Sequence, residues 1–202
     1  MNAFRRQSSA IVFASMAVLA ACAGNDSALA DSADGSAAAG DSTMAGMDHS
    51  AMPGMNNGPA RDADHEFLRK MSDHHEGLVV MMNGAMAKAS SAAAKADARV
   101  LHDTQRTEKN QMVGLIKSAY DETYMPMEMQ SAKAMTADLG QKSGAAYDRA
   151  MYGHVVMHHE EAIKMIDDFL PRMQKAEVKR MAEKMRVDQQ REIQDFKRKR
   201  GG

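Results

Sequence analysis

Residues 154–161 read HVVMHHEE, and residues 70–77 read KMSDHHEG, a weaker copy of the same stretch. When His75 is aligned with His159, the same offset also aligns a later Gln-x-x-Glu without a gap. A repeat of this length predicts two copies of one helical hairpin around a pseudo-two-fold axis. The two His-His pairs are therefore expected to face each other. The other aligned pairs are Asp64/Asp148, Met81/Met165, Gln105/Gln189 and Glu108/Glu192.

The repeats predict an all-α fold, an antiparallel four-helix bundle over residues 62–202. Apolar residues recur at alternating steps of three and four, with charged residues elsewhere, as in amphipathic helices. Asp62 or Asp64 can cap the first helix, Pro171 ends the third, and residues 140–144 separate the hairpins. The inward stripes are Leu68, Met71, His75, Leu78, Met82 and Ala85; Ala98, Leu101, Gln105, Glu108, Met112 and Leu115; Tyr152, Val155, His159, Ala162, Ile166 and Phe169; and Ala182, Met185, Gln189, Glu192 and Phe196.

Residues 1–21 predict an export signal, because two arginines precede an apolar run that is too short to cross a bilayer. The signal leads into the sequence LAAC at residues 19–22, which resembles the lipobox of bacterial lipoproteins. We therefore expect cleavage before Cys22, the only cysteine of the chain, and acylation of its thiol. The alternative is an ordinary cleaved signal with a chance cysteine. Because Ala23 is not the aspartate that resembles an inner-membrane retention signal, we expect a lipoprotein that faces the periplasm from the outer membrane.

Residues 22–61 predict a disordered tether, because they are rich in Ala, Gly, Ser and Asp and contain no aromatic residue. Four methionines and one histidine nevertheless fall within twelve residues of this segment. Thioether sulfur and imidazole suit soft ions such as Cu(I). The segment resembles the Met-Asp-His-Ser-x-Met repeats of bacterial extracytoplasmic copper-resistance proteins, and compositional drift is the alternative. The candidate ligands are Met44, Met47, His49, Met52 and Met55.

The composition argues against a nucleic-acid-binding protein. The formal net charge is −1, and aromatic residues make up 4% of the chain. Basic residues cluster only at 197–200, where cations at the negative end of a solvated helix are the simplest interpretation. We therefore expect one helical domain after the tether and no nucleic-acid partner.

Polar residues interrupt the middle of each inward stripe. His75 and His159 interrupt the apolar stripes of the first and third helices. The Gln-x-x-Glu motifs that end at Glu108 and Glu192 interrupt the stripes of the second and fourth. Burying two carboxylates among apolar neighbours costs several kcal/mol unless a cation or complete hydrogen bonding compensates. The sequence therefore predicts either a metal site or a closed network in which each glutamate accepts from the opposite His and Gln.

A second candidate metal site lies beside the inner histidine of the second copy. His154 and His158 are four residues apart, so both rings leave one helix face, which Met157 continues. Such a pair can hold a transition metal, with methionine favouring copper and a nearby carboxylate permitting zinc. Two solvated surface histidines are the alternative. The first copy has His74 in the place of His158 but Lys70 in the place of His154, so the chelate is predicted in one half only.

The connection between the hairpins contains three alternating methionines, Met125, Met127 and Met129. They are either soft ligands for a metal ion or an apolar plug over the end of the bundle. Methionine within the predicted helices is better explained as an adaptable core residue.

Several groups of residues around the repeated motif form a recognisable pattern. They are Phe67, Leu68, Met71 and His74 to Gly77; Gln105 and Glu108; Tyr147 to Ala150; His158 to Glu160, Ala162 and Ile163; and Gln189, Gln190, Glu192 and Ile193. They resemble the bacterial "domain of unknown function 305" family over about residues 63–196. The resemblance implies a ferritin-like four-helix bundle and, because some exported members are associated with copper binding and resistance, copper as a ligand. The chain departs from the family at Glu161 and at Gly153 and His154, so the resemblance does not imply the His154 chelate.

These patterns favour an extracytoplasmic metal-binding protein that buffers or hands on copper, as Cu(I) or Cu(II), with zinc or another divalent ion as the alternative. A metal-dependent oxidase is the weaker hypothesis, because di-iron bundles need about four carboxylates and the stripes supply only Glu108 and Glu192. A structural lipoprotein with a hydrogen-bonded core is the third. The expected partners are metal ions and, through Cys22, the membrane, while a metal-exchange partner and the oligomeric state are left open.

Overall fold

The computed structural model describes residues 58–201. The described part of the chain forms five α-helices, one 3-10 turn and no strand, so the predicted all-α bundle is confirmed. No helix within this range is long and apolar enough to cross a membrane. The helices are α1 (Ala63–Lys88), α2 (Ala92–Tyr120), α3 (Gln130–Gly140), α4 (Gly144–Phe169) and α5 (Ala176–Gly201), with the 3-10 turn at Leu170–Arg172. The predicted site residues that lie outside the described range are Cys22, Met44, Met47, His49, Met52 and Met55.

The helices pair as the repeat predicts. α1 packs along α2 and α4 packs along α5, while α1 also contacts α4 and so brings the two histidine motifs together. The buried apolar residues form two clusters, one on each side of these motifs. Leu78 and Val155 belong to one cluster, and Met71 and Ala162 belong to the other. The histidines therefore occupy a polar layer across the middle of the core.

The predicted helix start agrees with the structure, and the inward stripes agree except at Glu108, Leu115 and Glu192, which are only partly buried. Asp62 caps α1, since its carboxylate accepts the N–H of His65 at 2.8 Å. All predicted stripe positions of α1 and α4 are buried. In α2 the fully buried residue is Ile116 and not the predicted Leu115, because a step of four from Met112 stays on the inward face there.

Asp64 and Asp148, which the repeat aligns, join the two hairpins in the same way. The carboxylate of Asp64, at the start of α1, accepts the backbone N–H groups of residues 174–175 at 3.0 and 3.2 Å, just before α5. The carboxylate of Asp148, near the start of α4, accepts those of residues 90–91 at 2.7 and 2.8 Å, just before α2. Each hairpin therefore supplies a cross-hairpin cap, a carboxylate that accepts from the backbone just before the second helix of the other hairpin, and α2 has Ser91 as its own N-cap in addition.

α3 is an eleven-residue helix that the sequence analysis left within the connection between the hairpins. Its apolar residues Ala132, Met135 and Leu139 follow a helical spacing and are buried against α1 and α4. The helix begins after Met129, whose side chain makes no capping hydrogen bond. Without a Ser, Thr, Asp or Asn cap, so short a pattern carries a weak helix signal.

Gly77 allows the close packing of α3 on α1. A Cβ atom at Gly77 would clash with the Cβ of Ala132. The variant Gly77→Ala is therefore expected to lower the free energy of unfolding by about 1–3 kcal/mol, because α3 must shift away from α1. Urea unfolding followed by circular dichroism measures this loss.

Gly84 provides the matched control on the same helix. A Cβ there would meet no atom within 4 Å, so Gly84→Ala should be neutral or stabilise the protein by up to about 1 kcal/mol. The double variant Gly77→Ala with Ala132→Gly removes the clash and should recover part of the loss. A Gly77→Ala protein as stable as the parent would contradict this description of the α1–α3 contact.

Candidate metal centre

Four histidines form the centre of the polar layer, His74 and His75 on α1 and His158 and His159 on α4. Each is at most 2% exposed. The ring centroids of His74 and His158 are 3.7 Å apart, whereas neighbouring rings along each helix are 6.3 and 6.2 Å apart. The rings that meet across the pseudo-two-fold axis are therefore those of the outer pair, His74 and His158.

Each inner histidine contacts a glutamate of its own hairpin. His75 Nε2 lies 3.0 Å from Glu108 Oε2, and His159 Nε2 lies 2.7 Å from Glu192 Oε2, although the second contact has the poorer hydrogen-bond geometry. An ionised carboxylate can only accept, so Nε2 carries the proton and Nδ1 is left as an acceptor. Neither Nδ1 atom has a hydrogen-bond partner within residues 58–201. Each glutamate therefore meets a histidine of its own hairpin, because α1 packs along α2 and α4 packs along α5.

The four Gln-x-x-Glu side chains line one cavity of about 260 Å³. Gln105 and Gln189 are buried, and three of their four amide atoms have no hydrogen-bond partner in the described part of the chain. The side chains of Glu108 and Glu192 are 14% and 31% exposed, so this cavity is partly open to solvent. The layer thus joins buried, unpartnered polar atoms to two carboxylates, which is an environment that a cation would stabilise. The other lining residues are Thr104, Lys184, Asp188 and Arg191.

The outer pair is held by a backbone contact between the two hairpins. His158 Nε2 donates to the backbone oxygen of His74 at 3.0 Å, which leaves the Nδ1 of His158 as an acceptor. That Nδ1 and both ring nitrogens of His74 lack a hydrogen-bond partner among residues 58–201. The nearest charged group is the carboxylate of Glu161, 3.8 Å from His74 Nε2. Three unpartnered imidazole nitrogens therefore lie at the crossing of α1 and α4.

Burial keeps both outer histidines neutral. It lowers the pKa of His74 even though Glu161 acts in the opposite direction. Burial, together with the neighbouring histidines, lowers the pKa of His158 well below its usual value. A metal ion binds the neutral imidazole, so both rings are in the binding form at neutral pH.

The two histidines of the predicted chelate have different partners. His154 Nε2 lies 2.7 Å from Asp138 Oδ2 on α3, whereas His158 Nε2 is bound to the backbone of α1. Met157 lies between them on the same helix and is 49% exposed. The structure therefore does not direct these three side chains to a common point.

Residues 58–201 contain no group of three His, Cys, Asp or Glu side chains placed to hold a metal ion. Sequence reasoning did not identify Lys184 and Asp188, which lie on the cavity wall and form an ion pair with each other. Their spacing of four residues beside the Gln189 stripe was the available signal. It also missed Asp138, because that residue belongs to the unpredicted helix α3.

A separate charged cluster lies near the start of α1. His65 and Glu122 are 0% and 1% exposed, and His65 Nε2 lies 3.0 Å from Glu122 Oε2. Both terminal oxygens of Glu122 also accept from the guanidinium of Arg69. The buried carboxylate is therefore compensated from two sides, and it attaches the α2–α3 connection to α1.

Two repeated hairpins that enclose a layer of buried histidines define a duplicated helical-bundle protein. The chain belongs to the family described as domain of unknown function DUF305, whose sequence profile matches residues 7–116 and 117–200. The two matches follow one another along the chain, as the repeat predicts. A search of curated proteins finds no match.

Solved structures of related proteins have a similar fold. A DUF305 protein from Streptomyces coelicolor is 22% identical, with 68% of this chain and 90% of that chain covered and a TM-score of 0.61. A DUF305 fragment from Deinococcus radiodurans is 20% identical, with 71% and 99% covered and a TM-score of 0.62. The protein CopM in its Cu(II)-bound form is 22% identical, with 68% and 95% covered and a TM-score of 0.59. At these identities the comparison establishes the fold.

Proposed function

We propose that the chain is an extracytoplasmic copper-binding protein that holds its ion in the polar layer. The observation that supports this most directly is that Glu108 and Glu192, each in contact with a buried histidine, line the same polar cavity. Imidazole and carboxylate are ligands that both Cu(II) and zinc accept. A cation would also offset the charge of two carboxylates that line the same partly enclosed space.

The proposed inner ligands are His75, Glu108, His159 and Glu192. Glu108 orients the ring of His75 through a hydrogen bond, and Glu192 lies 2.7 Å from Nε2 of His159. The outer pair, His74 and His158, is a second candidate, with His154 and Met157 beside it. Its unpartnered ring nitrogens and its neutral state favour binding.

Copper is favoured over zinc by two further observations. CopM, whose fold is similar, has been crystallised in Cu(I)-bound, Cu(II)-bound and Ag-bound forms. The segment with Met44, Met47, His49, Met52 and Met55 adds thioether ligands that prefer Cu(I). We place the protein at the periplasmic side of a membrane, anchored through an acylated Cys22, from the sequence of residues 1–22.

We propose that the protein binds and buffers metal ions, and we do not propose a catalytic reaction. The polar layer supplies two carboxylates, whereas a di-iron bundle uses about four, with histidines three residues after two of them. Oxidation of Cu(I) or Fe(II) with oxygen, catalysed by the purified protein, would favour a metal oxidase instead.

The same contacts also favour a second interpretation, a purely structural polar core. Each inner histidine is already within hydrogen-bond distance of its glutamate without any ion. Such contacts can hold the two helices of each hairpin in one alignment. The two interpretations predict different losses in the free energy of unfolding when a histidine is substituted in the presence and in the absence of metal.

Cu(II) is expected to raise the melting temperature of the purified protein at pH 7 and to raise it less at pH 5. Binding to the folded state stabilises it by mass action, and protons compete for imidazole below about pH 6.5. His75→Ala and His159→Ala should each remove most of the increase, whereas His49→Ala in the tether should leave it unchanged. Thermal unfolding with and without Cu(II) provides the measurement.

Comparison of the metal-free and loaded proteins separates the two interpretations. In a purely structural core, each histidine substitution strands buried partners and costs about 1–3 kcal/mol in both states. In a metal site, the loss is larger in the loaded protein. Equal losses in the two states would refute the proposed metal site.

A further inference from the structure

The segment between α2 and α3 exposes three methionines on one side. Met125, Met127 and Met129 are 57%, 36% and 36% exposed, whereas the intervening Pro126 and Glu128 are partly buried. Exposure therefore alternates along residues 125–129, which places the three thioethers on the more open side of this segment.

This exposure does not suit an apolar plug. Methionines that fill the core of this protein, such as Met71, Met82 and Met112, are 0% exposed. More than half of the Met125 side chain is in water, so its packing contributes little to stability. The exposure favours the other interpretation from the sequence, that these methionines are soft ligands for a metal ion.

The segment is fixed to α1 at several points. The carboxylate of Asp73 accepts the O–H of Tyr124 at 2.7 Å and the backbone N–H of Met127 at 2.8 Å, one contact on each side of Met125. Glu122, earlier in the same segment, is bound to Arg69. A segment whose backbone is fixed loses less conformational entropy when its side chains close around a ligand.

We propose that Met125, Met127 and Met129 form a binding site for a soft monovalent ion, Cu(I) or Ag(I). Thioether sulfur is a soft, uncharged ligand that prefers Cu(I) over hard or borderline divalent ions. It has no proton to lose or gain between pH 5 and 8, so binding here should not weaken in mild acid. The site is separate from the polar layer, and it does not depend on whether that layer binds metal.

Ag(I) titration of the full-length protein tests the site, with silver as a probe that has no redox chemistry under these conditions. The ε-methyl carbons of all methionines are labelled with ¹³C and followed by NMR. We expect the signals of Met125, Met127 and Met129 to shift together with the first equivalents of Ag(I), both at pH 7 and at pH 5. The variant with all three residues changed to Leu should bind one equivalent less.

Two further variants serve as controls. Changing Met44, Met47 and Met52 to Leu removes thioethers from the tether and should leave the shifts of the three loop methionines in place. Asp73→Ala keeps all three sulfur atoms but releases the segment, and it should weaken Ag(I) binding at the loop by about tenfold.

The proposal is overturned if the loop methionine signals stay in place while Ag(I) binds elsewhere, or if the triple Leu variant binds as many equivalents as the parent. These outcomes are distinct from a failure of the polar-layer site. That failure would appear as a Cu(II)-independent melting temperature, with Ag(I) binding at the loop unaffected.

Discussion

Lowering the pH from 7 to 5 is expected to reduce the free energy of unfolding of the metal-free protein by about 2–4 kcal/mol, mainly through His158 and His74. The pKa of each ring is lowered in the folded state, chiefly by burial. In the unfolded chain both rings bind a proton near pH 6.5. Their contribution to stability is therefore fully present above about pH 6.5 and is lost as the pH falls below it. Each ring that stays neutral contributes about 2 kcal/mol over this range.

The groups that face the outer pair decide how much of this loss appears. His75 and His159 add to the repulsion of a proton, and Glu161 attracts one to His74. The larger share of the effect is therefore expected from His158, because no carboxylate within residues 58–201 contacts its ring.

Urea unfolding of the metal-free protein at pH 7, 6 and 5 measures the effect. His158→Gln should remove more than half of the pH dependence, even if it lowers stability at every pH. His102→Gln on α2, outside the polar layer, is the control, and it shows how much a histidine substitution by itself changes the pH dependence of the free energy of unfolding. A free energy of unfolding that does not change between pH 7 and pH 5 would contradict the neutral buried pair.

Asp148→Ala is expected to lower the free energy of unfolding by about 2–4 kcal/mol at pH 7. The substitution removes the acceptor of two backbone N–H groups, those of residues 90–91, and a hydrogen bond to a charged group contributes about 1.5–3 kcal/mol. Burial alone would raise the pKa of Asp148, but these N–H groups lower it below the usual value. The contribution is therefore complete above about pH 4 and is lost as the pH falls through the lowered pKa.

Denaturant unfolding of three aspartate variants tests this cap. Asp64→Ala removes the equivalent acceptor before α5 and should cause a loss of similar size. Asp103→Ala removes a carboxylate that is 58% exposed and should change stability by less than about 0.5 kcal/mol. If Asp148→Ala is no more harmful than Asp103→Ala, the cross-hairpin cap does not stabilise the fold as described.

The repeat allowed the two hairpins, and the level at which polar residues cross the core, to be predicted from sequence. The offset that aligns His75 with His159 needs no knowledge of distances, and amphipathic spacing determines which side of each helix is buried. It also placed Glu108 and Glu192 in the same layer as the histidines. Residue spacing does not show which partner each histidine ring contacts, because that depends on packing between helices that are far apart in the chain.

The structural features that the sequence did not predict involve helix α3. This helix has no side-chain cap and buries only three apolar residues, so its pattern was not recognised. Asp138 on α3 pairs with His154, which changes the surroundings expected for the His154–His158 pair. The close contact at Gly77 was likewise hidden, because a glycine inside a helix does not reveal which neighbour approaches it.

The reciprocal contacts of Asp64 and Asp148 bear on how such a chain could arise. A single hairpin carries one acceptor aspartate and, before its second helix, backbone N–H groups without their acceptor, so it is incomplete alone but matches a second copy of itself. Two identical hairpins would therefore associate as a symmetric homodimer, and duplication followed by fusion would convert that dimer into one polypeptide. After fusion, the covalent link keeps the two halves at a high effective concentration. Selection could then change one half alone. The repeat aligns Gly77 of the first half with Glu161 of the second, so the two halves already differ at this position.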